Sequence, residues 1–306
     1  MRTYLYLSYK CNCNCFFCAS DETNVVIKNN EFTFEEAKDF LLSSPNREML
    51  VISGGEPTIH DDFLRIVEFA HQQYQHISLL TNGIKFSDLN YLQDAIDAGI
   101  DTISIPFYSA DEAEHNNMVG NPHAYKNVVK CLLNLNNLLK TRHLSVQIKL
   151  LLAKFTYKTI PNSIDFIAKN FPNIKHVSIY GFHIGSKALR HIDKCLINYN
   201  ESRLYNDIAV QKLLEHNMDF HICQIPFCAF SANTNEILIK QKRFTDSDIS
   251  FMKRPDGKSH FVSPPIHVPK ECDTCDLYCY CPKIYGKNAS SFEYGVRSMA
   301  LKCCLK

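Results

Sequence analysis

The sequence predicts an α/β protein with a parallel sheet, followed by a small cysteine-rich module. Over the first two thirds of the chain, short apolar runs alternate about six times with longer amphipathic runs, which is the pattern of strand–helix repeats. The apolar runs are continuous, as expected of parallel strands that are covered on both faces. After about residue 200 this pattern stops, and residues 272–304 hold six of the 14 cysteines. A second unit is therefore expected at the carboxyl end.

The predicted elements follow in order along the chain. Thr33 and Glu36 stand at capping-box spacing and open the first helix. Gly99 follows the third helical pattern, where a glycine is typical. The predicted strands are 3–9, 48–53, 76–81, 101–107, 144–152, 175–182 and 218–227. The predicted helices are 32–44, 61–73, 87–99, 124–140, 161–171 and 202–217. We expect two domains, residues 1–218 and residues 219–306.

Composition narrows the function classes. The chain has 306 residues and a formal net charge of +1, so it offers no global basic surface for nucleic acid. It contains no apolar run of the ~20 residues that span a bilayer, and the first ten residues lack the pattern of a signal peptide. We therefore expect a cytoplasmic protein with neither nucleic-acid nor membrane partners. In that compartment 14 cysteines indicate metal or redox chemistry rather than disulfides.

The segment KCNCNCFFCAS (residues 10–20) carries four of these cysteines. Cys11, Cys15 and Cys18 form C-x3-C-x2-C, and Cys13 lies inside the first gap. A structural zinc site needs four ligands, commonly in two pairs, and the next hundred residues supply no second pair. A redox pair of Cys15 and Cys18 leaves Cys11 without a role. Zinc and redox chemistry remain alternatives to a site built on three thiols.

A second motif, SGGEPT at residues 53–58, follows the second predicted strand. Together with the cysteine triplet it resembles the radical S-adenosylmethionine (radical SAM) family over roughly residues 3–190. The resemblance implies a partial (β/α)6 TIM-type barrel with the site at the carboxyl ends of the strands. It also implies that Cys11, Cys15 and Cys18 hold a [4Fe–4S] cluster whose open iron binds SAM. The SAM contacts that it implies are Phe17, Gly54, Gly55, Glu56, Pro57 and Ser104, with Glu56 directed at the methionine ammonium.

Other residues of this region have weaker assignments. We expect Cys13 to be a bystander, with replacement of Cys11 as the alternative. The TNG segment at 81–83, Lys149 and Gly185 stand at positions similar to those of the family. Four ring side chains near predicted strand ends either line the cavity or pack, namely Tyr108, His115, Tyr180 and His183. No catalytic residue is assigned.

The second cysteine group lies at Cys272, Cys275, Cys279 and Cys281. Its first, second and fourth members form C-x2-C-x5-C, which resembles the auxiliary-cluster module called SPASM or, in its shorter form, twitch. Tyr285 stands where the full pattern continues with a cysteine, so one auxiliary [4Fe–4S] cluster is expected. Its ligands would be Cys272, Cys275, Cys281 and Cys228, with Cys223, Cys279, Cys303 and Cys304 as substitutes for the last. A zinc site made of Cys272, Cys275, Cys279 and Cys281 is the alternative. Cys131 and Cys195 are expected to be packing or surface thiols.

The resemblance implies an enzyme that reductively cleaves SAM to a 5′-deoxyadenosyl radical, which abstracts a hydrogen atom from a substrate. The substrate we expect is a ribosomally synthesised peptide undergoing cross-linking, epimerisation or thioether formation. The expected electron donor is a flavodoxin or ferredoxin. Because the motif begins at residue 11, a separate leader-binding protein is expected to present the peptide, unless the substrate is small. The alternatives are a dehydrogenase or carbon–carbon bond-forming enzyme of cofactor or sugar biosynthesis, and a non-catalytic iron–sulfur or zinc protein.

Overall fold

The computed structural model describes residues 2–18, 30–184, 186–245, 250–254, 260–262, 266–278, 281–285, 293–296 and 299. The strands of its main sheet are β1 Arg2–Tyr6, β2 Met49–Ser53, β3 His76–Leu80, β4 Thr102–Pro106, β5 Ser145–Leu152, β6 His176–Gly181, β7 Asp219–Cys223, β8 Phe244–Thr245, β9 Ser250–Lys253 and β10 His260–Val262. A separate two-stranded sheet consists of β11 Ile266–His267 and β12 Ile284–Tyr285.

The main sheet has the order β10–β9–β1–β2–β3–β4–β5–β6–β7–β8. Its neighbours pair in parallel except β10, which runs antiparallel to β9. Strands β1 to β7 follow their order in the sequence, because each connection returns the chain to the adjacent position, usually through a helix. The predicted α/β class is confirmed, and so are the seven predicted strands, although the last ends at Cys223 and not at residue 227.

The helices are α1 Phe34–Ser43, α2 Phe63–His71, α3 Leu89–Asp97, α4 Glu112–Val119, α5 Ala124–Leu138, α6 Ile160–Asn170, α7 Ser186–Leu189, α8 Ile192–Cys195, α9 Tyr199–Glu215 and α10 Ala232–Lys240. Both hydrogen bonds of the predicted capping box are present at Thr33 and Glu36. Helix α4 was not predicted, and it ends at Gly120, whose φ of 62° is left-handed.

The core lies between these helices and the outer face of the sheet. Along β5, Ile148, Leu150 and Leu152 are buried beneath the helices, whereas Gln147 and Lys149 face the opposite side and are only partly buried. The two faces of β5 are thus buried to different degrees, although the sequence predicts cover on both. The inward-facing Gln147 and Lys149 are polar, in contrast to the buried aliphatic residues on the helix side of this strand.

The segment that begins at residue 219 completes the sheet at both ends. Strands β7 and β8 extend one end, and β9 pairs with β1 at the other. The main sheet thus includes strands from both expected domains, and the division at residue 219 stays a prediction. Among the described residues, none of the helices is both long enough and apolar enough to cross a membrane.

Candidate functional site

The segment with the four clustered cysteines follows β1 at the carboxyl edge of the parallel sheet. Gly55 N–H donates to the Ser8 carbonyl (2.7 Å) and Glu56 N–H donates to the Lys10 carbonyl (2.8 Å). A Cβ atom on Gly54 would lie 2.5 Å from the Ser8 oxygen, and one on Gly55 would lie 2.1 Å from the Lys10 oxygen. The paired glycines are thus required for backbone contact with the segment that leads into Cys11, a role that the sequence analysis missed.

The opposite side of this cysteine loop is held by the end of α4. Asn14 N–H donates to the Val119 carbonyl (2.8 Å), and the Asn121 amide donates to the Asn12 carbonyl (2.9 Å). A side chain on Gly120 would contact the Asn14 oxygen at 2.8 Å. The Lys187 ammonium also bonds the Asn14 side chain. The loop therefore has backbone partners on two sides, which fixes the positions of its thiols.

The thiols of this loop form a compact group of donors. Cys13 N–H donates to Cys11 Sγ (3.4 Å), and Asn82 Nδ2 lies 3.9 Å from Cys11 Sγ and 3.7 Å from Cys13 Sγ. Cys18 N–H closes a turn on the Cys15 carbonyl (3.3 Å), and burial raises the pKa of Cys15 to about 12. This donor set fits an iron–sulfur cluster, which cysteine thiolates bind. Within the described ranges, no three Cys, His, Asp or Glu side chains are arranged to hold a single metal ion.

Glu56 is 1% exposed and connects the GGEP segment to the TNG segment. Its Oε1 accepts hydrogen bonds from the hydroxyls of Thr58 (2.6 Å) and Thr81 (2.6 Å), and its Oε2 accepts one from Asn82 N–H (2.7 Å). Burial raises its pKa. Pro57 opens a 3-10 turn over Pro57–Ile59. Glu56 therefore positions Asn82 beside the thiols, and its role at the methionine ammonium stays a prediction.

Aromatic rings cover the inner side of the cysteine loop. Phe17 is 5% exposed, stacks on Phe155 (centroids 4.6 Å apart) and meets Tyr108 edge-on (5.0 Å). Burial and the nearby thiols raise the pKa of Tyr108. His115 lies against Tyr108 (5.7 Å), and burial lowers its pKa to about 4. These contacts make the loop surroundings dry and apolar, and His115 is neutral at physiological pH.

Ser104 lies on the inner face of β4. Its hydroxyl donates to Gln147 Oε1 at 3.2 Å, and Gln147 donates in turn to the Ser178 hydroxyl at 2.6 Å. Its predicted ribose contact is not tested by this arrangement and stays a prediction. Gly185 lies outside the described residues.

A second group of thiols surrounds a small cavity in the carboxyl-terminal part. Cys228, Cys272, Cys275 and Cys281 all line this cavity, together with Phe227 and other apolar side chains. Backbone N–H groups donate to two of the sulfurs, Met299 N–H to Cys275 Sγ (3.4 Å) and Lys283 N–H to Cys281 Sγ (3.4 Å). Four thiols in an apolar cavity fit the ligand set of a second [4Fe–4S] cluster.

The remaining cysteines are placed elsewhere or lie outside the description. Cys223 lies at the end of β7, where it influences the pKa values of Lys149 and Tyr180. Cys131 and Cys195 are buried in the core. The substitutes Cys279, Cys303 and Cys304 lie outside the described residues. Of the possible fourth ligands that are described, Cys228 is the one that shares a cavity with the C-x2-C-x5-C triplet.

The fold and the site define an α/β barrel-type protein with a cysteine triplet at the carboxyl edge of its sheet. The family model of the radical SAM superfamily matches residues 5–167, which is more than half of the chain. The chain belongs to the radical SAM superfamily. Membership implies a [4Fe–4S] cluster and SAM as cofactors.

The curated relatives include enzymes of several activities. A 7,8-dihydro-6-hydroxymethylpterin dimethyltransferase of Methanocaldococcus jannaschii is 32% identical over 108 residues, which are 34% of this chain and 21% of that protein. An AdoMet-dependent heme synthase of Methanosarcina barkeri is 25% identical over 180 residues, 58% of this chain and 48% of that protein. The chain thus spans about a fifth and about half of the length of these two relatives.

Among solved structures, Streptococcus suis SuiB bound to S-adenosylmethionine has the same fold. The TM-score is 0.62 at 15% sequence identity, and the match covers 99% of this chain and 77% of SuiB. At this identity the likeness concerns the fold alone. It supports the α/β barrel architecture, including the part of the chain beyond the family match.

Proposed function

We propose that this protein is a radical SAM enzyme that cleaves SAM reductively and abstracts a hydrogen atom from its substrate. Cys11, Cys15 and Cys18 would hold the [4Fe–4S] cluster. When bound, that cluster supplies the electron that breaks the carbon–sulfur bond of SAM. The observation that carries the proposal is the cysteine loop at the carboxyl edge, clamped by the backbone of Gly54 to Glu56. Parallel barrels assemble their active sites at this edge.

The residues of this chain fix the position of the thiols and exclude water from one side of the cysteine loop. Hydrogen bonds from Gly55, Glu56 and Asn14 fix the loop backbone, so the thiols hold their spacing. Phe17 and Tyr108 exclude water from the inner side of the loop. A radical formed at this place would be protected from solvent, because water-excluded sites suppress side reactions.

The proposal includes an auxiliary [4Fe–4S] cluster on Cys228, Cys272, Cys275 and Cys281, in a SPASM or twitch-like module. The shared cavity of these four thiols supports it. The two N–H···S hydrogen bonds, to Cys275 and Cys281, also support it, since such bonds tune the potential of iron–sulfur clusters. The zinc alternative that uses Cys279 in place of Cys228 does not explain why Cys228 lines the cavity.

The substrate we propose is a ribosomally synthesised peptide. Supporting this, SuiB has also been solved bound to its precursor peptide SuiA, with a TM-score of 0.58 to this chain. The partners would be a flavodoxin or ferredoxin and a protein that presents the peptide. The second candidate is a small-molecule substrate, which the names of the curated relatives favour, since they include a dimethyltransferase acting on a pterin and a probable GTP 3′,8-cyclase.

Anaerobic reconstitution tests the proposed function. The parent chain and a Cys11/Cys15/Cys18→Ala triple variant are reconstituted, and iron and sulfide are counted per chain. We expect about eight irons per chain in the parent, which holds two [4Fe–4S] clusters. The variant should hold one cluster and about four irons. Dithionite should drive formation of 5′-deoxyadenosine in the parent alone. Stoichiometric zinc without SAM cleavage would overturn the proposal.

A further inference from the structure

The inner face of the sheet presents a lysine that the site described above does not use. On β5 the buried side chains of Ile148 and Leu150 face the helices, so Lys149 between them faces inward. In the register of the sheet Lys149 pairs with Ser178 on β6, and Tyr180, two residues further, pairs with Cys223 on β7. Lys149, Tyr180 and Cys223 therefore share one face.

The sheet curls so that this face becomes the wall of a concave space. Tyr4 and Arg2 on β1 act electrostatically on Tyr180, although β1 and β6 are five positions apart in the sheet. In a flat sheet these strands would be roughly 24 Å apart at the usual spacing. Side chains of the first and sixth strands are therefore close enough to influence one another across this face.

In the part of the chain that the structure describes, Lys149 has no counter-ion. Its Nζ lies 4.6 Å from the centre of the Tyr180 ring, and among the described residues its ammonium has no carboxylate partner and no hydrogen bond. Two groups influence the pKa of Lys149 electrostatically. The Cys223 thiol raises it, and the Arg2 guanidinium, which is itself a cation, lowers it. Burial lowers the pKa of Lys149 to about 8. Burying an ammonium without a partner costs free energy, and a bound carboxylate would offset that cost.

We propose that Lys149, with Tyr180 beside it, binds a carboxylate of the substrate on the inner face of the sheet. The inference rests on the proposed function, because it places the substrate in the space below the cysteine loop. Lys149 supplies the charge, and the Tyr180 ring holds the ammonium from one side by a cation–π contact. Arg2 adds positive potential from the opposite wall. The substrate class is then an acid, either a free small acid or a peptide with an acidic side chain.

Competitive labelling of the reconstituted, SAM-loaded full chain tests this assignment. The neutral reagent N-acetoxysuccinimide acetylates amines, and peptide mass mapping gives the acetylated fraction of Lys149. The exposed Lys140, two residues after the end of α5, is the internal reference. Two probes are added in separate arms, glutarate as a free acid and N-acetylglutamate amide as a peptide-like acid.

We expect either probe to slow acetylation of Lys149 several-fold while Lys140 is unaffected. Protection by glutarate alone assigns the subsite to free acids, and protection by N-acetylglutamate amide assigns it to peptides. Without probe, labelling of Lys149 should rise as the pH passes about 8, where its amine loses its proton. Equal labelling with and without both probes overturns the proposal.

Variants give a second readout that needs no SAM cleavage. Lys149→Gln should abolish the rise in melting temperature that glutarate gives the parent, with a loss of affinity of roughly tenfold or more, as expected for a charge-assisted contact. Lys149→Arg should retain part of this rise, and Lys140→Gln should behave as the parent. Iron content per chain verifies that each variant is folded. A full glutarate effect in Lys149→Gln overturns the assignment, whereas absent SAM cleavage in the parent contradicts only the proposed function.

Discussion

At the residue scale, the position of Cys13 beside Cys11 makes the choice of ligand testable. The Cys13 N–H donates to Cys11 Sγ, and Asn82 lies close to both sulfurs. We expect Cys13→Ala to bind iron as the parent does and Cys11→Ala to lose about four irons per chain, since the family spacing uses Cys11. Iron counting after anaerobic reconstitution measures this. The reverse pattern would assign the ligand to Cys13.

The buried carboxylate of Glu56 gives a second prediction at this scale. In Glu56→Gln the amide oxygen keeps the bonds from Thr58 and Thr81, but the amide N–H2 then faces the N–H of Asn82. Two donors facing each other in a buried site cost about 1–3 kcal/mol. We expect urea denaturation of the apoprotein to show this loss in the free energy of unfolding.

The matched control for this variant is Glu35→Gln on the exposed face of α1. It should change the free energy of unfolding by less than about 0.5 kcal/mol, as surface substitutions usually do. If Glu56→Gln unfolds at the same urea concentration as the parent, the carboxylate does not hold the two segments together, and only its predicted role at SAM is left.

At the element scale, the close approach between the turn after β2 and the chain after β1 fixes the cysteine loop. In Gly55→Ala the new Cβ would meet the carbonyl oxygens of Lys10 (2.1 Å) and Tyr9 (2.6 Å). The two segments must then separate, which costs about 1–3 kcal/mol and moves Cys11. We expect loss of about four irons per chain on reconstitution.

Gly99→Ala controls for the loss of stability alone. Gly99 has a φ of 121° and would clash with His71, far along the chain from the cysteine loop. This variant should be destabilised but should keep the iron content of the parent. Equal iron in Gly55→Ala and the parent would show that the paired glycines serve only the turn.

Local sequence predicts most of the strands and helices but not the contacts between distant segments. Strands β1 to β6 and helix α1 were predictable because apolar period and capping residues act over a few positions. Helix α4 was missed because its charged residues, such as Glu112 and Glu114, hide the buried positions His115 and Met118. The role of Gly54 and Gly55 was missed because it depends on a backbone contact more than 40 residues away in sequence.

At the scale of the whole molecule, the cavity with four thiols joins the sheet to the carboxyl-terminal segment. Cys228 comes from the turn after β7, and Cys272, Cys275 and Cys281 come from residues more than 40 positions later. We expect Cys228→Ala to lose about four irons per chain while the cysteine loop keeps its cluster. Cys223→Ala should keep all of them, because Cys223 faces Lys149 and Tyr180 instead.

Both variants, Cys228→Ala and Cys223→Ala, are measured by iron counting and by the 5′-deoxyadenosine assay. Zinc in the parent at one equivalent per chain, unaffected by Cys228→Ala, would favour the alternative four-cysteine zinc site. The spacing of the triplet was readable in the sequence. The spacing does not identify the fourth ligand of the auxiliary cluster, because it does not tell which further thiol the fold brings to the cavity.

The pairing of β9 with β1 has a consequence for how the chain is made. Residues 250–253 pair with Arg2 to Leu5, so the first strand gains its second neighbour only after some 250 residues have been synthesised. Contacts at such separation form slowly, and until then an unpaired strand edge can join another chain. On the ribosome, the strand that leads into the cysteine loop therefore keeps one open edge until residue 253 has emerged, and this edge is exposed to misassembly for nearly the whole of synthesis.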